Sequence, residues 1–247
     1  MPKVLLPLAM VVTTPAVAAD RDYAVTHFDA IRVDGAFDVE VRTGGAAAVR
    51  VEASTAALTT ITVKVDAGTL TIRAPVRTSL DPAETGEQVR VIVTTPGLRS
   101  AALVGRGTLR IDRMNADAVK LSLNGGGRLD VAALRARRLD AVSVGDGAMA
   151  LGGNADAALV ALAGEALLEG DALTVGDLTL NAQGRIRGEA RALRTATIVA
   201  AGPSTLAIAG PARCDVRASH PDGVACGGEP TLDAIGSEQP ERGELTD

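Results

Sequence analysis

Aromatic side chains are almost missing from this chain of 247 residues: it has no tryptophan, and Tyr23, Phe28 and Phe37, all near the N-terminus, are the only other aromatics. Single-stranded nucleic acids are held by stacking on aromatic faces, so the scarcity counts against a base-stacking surface and against a sugar-stacking platform. Basic charge is also in short supply, at 25 Lys and Arg against 30 Asp and Glu. Phosphate neutralisation needs the opposite balance, so no nucleic acid is expected as a partner. Histidine occurs twice, at His27 and His220, and cysteine twice, at Cys214 and Cys226. These are too few and too scattered for the four-ligand spacing of a zinc centre, and no metal or cofactor is expected. No apolar run approaches the ~20 residues of a membrane-spanning helix.

What is present begins with an export signature. Lys3 starts a short basic segment, Val4 to Val12 is an apolar run, and Ala16-Val17-Ala18 is a small-residue cleavage pattern. Residues 1–19 are expected to be a signal peptide, which places the mature chain in the periplasm or outside the cell. Its removal takes away Lys3 alone and leaves a net charge of -6, with 24 basic against 30 acidic residues.

The dominant feature is a repeat. Six nine-residue phrases, LVGRGTLRI, LNGGGRLDV, SVGDGAMAL, LAGEALLEG, LNAQGRIRG and AAGPSTLAI, alternate apolar or small residues with polar ones. Their third positions, Gly105, Gly125, Gly145, Gly164, Ala182 and Gly202, are spaced by 20, 20, 19, 18 and 20 residues. A fixed period of that length marks a solenoid, since no single repeat buries its apolar face alone. Side chains alternate across a strand, which sets Leu109, Leu129, Met149, Leu168, Ile186 and Leu206 in one inward column and Ile111, Val131, Leu151 and Ile208 in the next. Gly105, Gly125, Gly145 and Gly164 form a small-residue column beside them. Outward positions hold charges of both signs, among them Arg106, Arg110, Arg128, Asp130, Asp146, Glu165, Glu169, Arg185 and Arg187. A second apolar group recurs between phrases, as Val119 and Leu121, Leu139 and Val142, Leu159 and Val160, Val175 and Leu178, and Ile198 and Val199. Each period therefore supplies at least two strand segments.

Upstream, alternation at Ile31–Val33, Phe37–Val41, Val49–Val51 and Ile61–Val65 predicts further strands, with a hairpin or tight corner at Asp66-Ala67-Gly68 and an exposed loop over 75–87. The expected organisation is a signal peptide (1–19), a strand-rich N-terminal part (20–100), a repeat β-solenoid (101–210), a disulfide-stapled C-terminal cap (211–228) and a disordered acidic tail (229–247).

FDAIRVDGAFDVEV, VDAGTLTIRAP, TTPGLRSAALVGRGTL and the tandem phrases after them resemble the GIN-domain, or autotransporter-adhesin-head, family of exported bacterial proteins, over roughly residues 27 to 226. The resemblance implies an all-β fold, a right-handed parallel β-helix with ~20-residue coils, and an adhesive role. Glu165-Ala166 and Ala182-Gln183 depart from the family's small-residue pair.

Candidate chemistry is sparse. Cys214 and Cys226 lie twelve residues apart in an exported chain, around Pro221-Asp222-Gly223, and are expected to form a disulfide. Asn124-Gly125-Gly126-Gly127 lacks the recurring Asp of calcium-binding β-rolls, and Gly105-Arg106-Gly107 leads into a strand, unlike a phosphate loop. Asp130, Asp146 and Glu165 are the best acids for a glycosidase-type pair, but they occupy different phrase positions. Ser122, Ser143 and Ser204 have no adjacent His. The expectation is an exported, non-catalytic binding or adhesion module that contacts an unidentified envelope component or protein. The alternative is a carbohydrate-active β-helix enzyme, a polysaccharide lyase or hydrolase. Oligomeric state is not readable from the sequence.

Overall fold

The computed structural model describes residues 19–74, 89–228 and 230–234. The expected leader apart from Ala19, the 75–87 loop and most of the expected tail lie outside these residues. Four long strands, β9 (Thr108–Asn124), β10 (Arg128–Gly145), β11 (Ala148–Gly164) and β12 (Leu167–Gly184), stack in parallel with β13 (Arg187–Ala201) as successive coils of a β-solenoid. Burial alternates along β9 and β10 except at two places, where neighbouring residues both face outward, as at Asp112-Arg113 and Asp117-Ala118 of β9. The coil turns a corner there. Each coil therefore has a front face (108–111 in β9), a side face (113–116) and a back face (118–124), one more than the two apolar groups expected.

The side face is built on Met114, Leu134 and Leu173, all buried. On the back face, Val119, Leu139, Ala158, Leu178 and Ala196 stack in register, with Leu121, Ala141, Val160, Leu180 and Ile198 beside them. Val142 and Leu159, counted in the second apolar group, point out and are 42% and 38% exposed. The apolar groups of the sequence run across the strand's two sides here, so composition misassigns them where parity does not.

The fifth phrase is also corrected. Gly184, not Ala182, pairs with Gly164, and Gly188, not Ile186, pairs with Leu168. Ala182 lies opposite Leu162, and a shift of two residues preserves the inward parity that made the earlier phase look right. Turn glycines from 105 to 202 close each coil at positive φ, +110° at Gly125 for example, where an added Cβ would meet the Gly105 carbonyl oxygen at 2.8 Å. They form the corner itself, and the inward small residues lie two positions on, at Gly107, Gly127 and Gly147. The Gly125 amide still donates to the Val144 carbonyl at 2.8 Å, so the ladder passes unbroken through the turn.

The N-terminal part is stacked out of chain order. β2 (Ala30–Asp34) pairs in parallel with β6 (Thr69–Arg73) on one edge and β8 (Ser100–Val104) on the other. β3 (Phe37–Thr43) likewise sits between β7 (Val89–Thr95) and β9. Antiparallel strands close this end: β5 (Thr62–Asp66) on β6, β4 (Ala48–Ala53) on β7, and β1 (Ala19–Tyr23) on β4. The turn at Ala67-Gly68 has both residues at positive φ, as a two-residue hairpin requires. One short helix, α1 (Thr55–Thr60), was not foreseen; the Ser54 hydroxyl caps it by accepting from the Ala57 amide.

At the other end the ladder does not stop at residue 210. β14 (Thr205–Ala209) and β16 (Val224–Cys226) continue the front face, while β15 (Arg213–Ala218) and β17 (Pro230–Ala234) continue the back face. Residues 230–234, expected in a disordered tail, are thus a strand, because the open edge of β15 offers unpaired backbone partners. A disulfide joins Cys214 on the back face to Cys226 on the front face, with Cα atoms 6.6 Å apart.

Candidate binding groove along the front face

Because the coils are in register, outward side chains of the front face stand above one another. Glu40, Arg110, Asp130, Ala150, Glu169 and Glu189 make one such column, and Asp38, Thr108, Arg128, Ala148, Leu167 and Arg187 the other. Coil β11 interrupts the charges with Ala148 and Ala150. It is also one residue short at the corner between front and side faces, where the register shifts between Ala150 and Gly153. That missing residue is the 19-residue interval of the repeat. Gly153 takes φ +109° to close the gap, and an added Cβ would lie 2.1 Å from the Leu134 carbonyl oxygen, so only glycine fits.

Small side chains and a shortened corner leave a groove of about 480 Å³. Its floor is Val131, Ala132, Ala150, Leu151, Gly152 and Ala172, and its rim carries Glu40, Asp112, Asp130, Glu169 and Asp171 with Arg42 and Arg110. A second depression of about 620 Å³ shares Glu169 and Asp171 and continues past Arg187 and Glu189 to Thr205 and Ala207.

Most rim carboxylates are engaged. Arg128 contacts Asp130 Oδ1 at 2.8 Å on its own strand and reaches across the alanines of β11 to Glu169. The hydrogen bond to Glu169, first of all, raises the Arg128 pKa above its ordinary value. Glu40 accepts from Arg42 and from Arg90, at 2.8 and 2.9 Å, and these two hydrogen bonds hold its carboxyl below the usual carboxylate range. Asp112 accepts from the amides of Thr43 and Arg113, at 3.0 and 2.6 Å, and from the Thr43 hydroxyl. It ties the first side-face corner to β3. Asp171 is exposed on the rim.

The acids singled out from sequence do not converge. Asp130 is in the groove, whereas Asp146 and Glu165 lie in the glycine turns, where Glu165 pairs with Arg185 at 2.6 Å. Ser122 faces outward, Ser143 is fully buried with its hydroxyl unpartnered, and Ser204 donates to the Gly184 carbonyl at 3.2 Å. Among the described residues no three His, Cys, Asp or Glu are grouped to hold a metal ion, His27 and His220 included. Sequence reasoning missed Glu40, Arg42, Asp112 and Asp171 as rim residues; the short interval and the small-residue run AMALGG were the available signals.

The coil stack defines a parallel β-solenoid, and no helix among the described residues is long and apolar enough to cross a membrane. Residues 27–212 match the sequence profile of the family described as "putative auto-transporter adhesin, head GIN domain", and the chain belongs to that family. Solved structures share the fold. A protein titled a putative adhesin from Bacteroides fragilis is 21% identical, with TM-score 0.67 over 90% of this chain and 98% of its own. One with the same title from Parabacteroides merdae is 12% identical, with TM-score 0.63 over 88% and 96%. One titled a putative lipid binding protein from Parabacteroides distasonis is 14% identical, with TM-score 0.62 over 87% and 96%. None of the curated proteins matches the chain.

Proposed function

We propose that this protein is an exported, non-catalytic binding or adhesion module of the cell envelope, in the periplasm or at the surface, and that the front-face groove is where it meets its partner. The observation that carries the reading is the chemistry of the groove. Its floor is apolar and shallow, and its Glu and Asp side chains are mostly held by arginines or backbone amides. Carboxylates fixed in that way present charge and shape. A glycosidase instead keeps one carboxyl protonated opposite another across a sugar ring, whereas Glu40, Asp112, Asp130 and Glu169 each accept from a neighbouring arginine or backbone amide.

Export is supported by the leader-like first 19 residues and by the disulfide, a bond of oxidising compartments. The reading further takes residues 211–228 as a stapled end that shields the last coils. The test is to add labelled mature protein to intact cells and to isolated envelope, and to assay the same mixtures for newly released sugar ends. Saturable retention without sugar release is expected. Release of sugar fragments that disappears in Asp130→Asn would overturn the reading in favour of the carbohydrate-active enzyme.

A further inference from the structure

We propose that the groove binds an extended, basic peptide segment, laid along the solenoid axis; the proposal rests on the binding reading above and names the partner's chemistry. Length is the first ground. The two depressions share Glu169 and Asp171 and together run from β3 to β14, seven rungs of the front face. At ~4.8 Å between neighbouring strands that is roughly 29 Å, the span of about nine extended residues. A compact ligand would leave most of such a channel empty.

Charge is the second. Across the two depressions the lining holds Glu40, Asp112, Asp130, Glu169, Asp171 and Glu189 against Arg42, Arg110 and Arg187, while Arg90 and Arg128 reach in to pair with Glu40 and with Asp130 and Glu169. Six carboxylates against five guanidiniums leave a small acidic excess, and complementary potential favours a cationic partner and disfavours an anionic headgroup. Asp171, exposed where the two depressions meet, is placed to receive an incoming ammonium or guanidinium.

The floor is the third. Ala132, Ala150, Gly152 and Ala172 project little, so a partner's main chain can lie close to the sheet while its long basic side chains reach the rim. The front-face backbone groups are already paired rung to rung, so recognition runs through side chains and not by adding a strand.

The experiment uses three blocked decapeptides, of alternating Lys and Ala, Ser and Ala, and Glu and Ala, titrated into the mature protein by fluorescence anisotropy. The lysine peptide is expected to bind, with affinity falling as salt rises, and the other two are expected to be at least ~10-fold weaker. Asp171→Lys, and separately Ala150→Trp to fill the floor, should each weaken the lysine peptide by at least ~10-fold with unchanged melting. Asp66→Lys, the same charge change on the β5–β6 hairpin, which extends the opposite, back-face stack, should leave it unchanged. Equal loss in Asp66→Lys and Asp171→Lys would show bulk attraction to an acidic protein and overturn the proposal, as would wild-type binding by Ala150→Trp. If envelope retention persists while no lysine peptide binds, the peptide proposal falls and the binding reading stands.

Discussion

The coils from Thr108 to Ala201 and the strands from Ala19 to Val104 share one ladder, yet they are held together differently. In the coils each rung touches the rung about twenty residues before it and the one after. In the N-terminal part β2 is clamped between strands that follow it by 39 and 70 residues and β3 between strands that follow it by 52 and 70, as Ala30 opposite Thr69 and Ser100, and Asp38 opposite Arg90 and Thr108, show. The aromatic side chains follow the same division. Phe28 and Phe37, at 0% and 1% exposure, fill the block where antiparallel strands and α1 close the end. The coils use Leu, Val, Ile, Met and Ala, which suit a thin interior repeated at a constant spacing. The difference teaches that the N-terminal block is a non-local, cooperative unit, whereas the coils are a nearest-neighbour array whose damage stays local.

The largest effect expected on that contrast comes from Leu129→Asp. Leu129 is fully buried with Leu109 and Met149 as its register partners, and an unpaired carboxylate there costs on the order of 5 kcal/mol or more. Circular dichroism should show the coil transition lost or shifted far down; a wild-type melting curve would remove Leu129 from the column. Phe37→Ala should cost about 3–5 kcal/mol and lower the unfolding midpoint of the N-terminal block as one transition in urea. If only exchange around residue 37 rises, the block is not cooperative. Gly125→Ala strains a positive-φ turn against the Gly105 carbonyl and should cost roughly 1–3 kcal/mol, with hydrogen exchange rising in β9 to β11 and unchanged in β2 and β6.

The smallest effect is electrostatic. Hydrogen bonds from Arg50 to Asp22, from Arg42 and Arg90 to Glu40, and from Arg194 and Thr195 to Asp177 hold these carboxyls below their usual range. The unfolded chain binds their protons first, so the stability they supply is present near neutrality and is lost as pH falls through the folded values. All are solvent-facing, so the loss is slight and salt-sensitive. A urea midpoint that rises on acidification would reverse the sign.

Much of the coil stack was legible because its period and parity are both local: Gly105, Gly125 and Gly145 announce the turns, and Leu109 and Leu129 the interior. Phase was not legible at Ala182, where a two-residue slip costs nothing in parity. The side face escaped notice because Gly153 interrupts the series that Met114, Leu134 and Leu173 would otherwise make. Strand order in the N-terminal part could not be read, since nothing local tells β2 to pair with β8. The groove is visible in sequence only as one missing residue in a period and the small-residue run AMALGG, and its rim draws on Glu40 and Asp171, 131 positions apart.

Hydrogen exchange on the oxidised protein and on Cys214→Ser combined with Cys226→Ser tests most directly whether coils couple only to their neighbours. The disulfide joins the front and back faces at the end of the stack, beyond the last side-face rung. Its loss should remove roughly 2–4 kcal/mol from the end alone. Faster exchange from Thr205 to Cys226, with β2, β3 and β6 as protected as before, is the predicted result. Exchange rising equally in β2 and β3, or unchanged near Leu206 and Ile208, would contradict it.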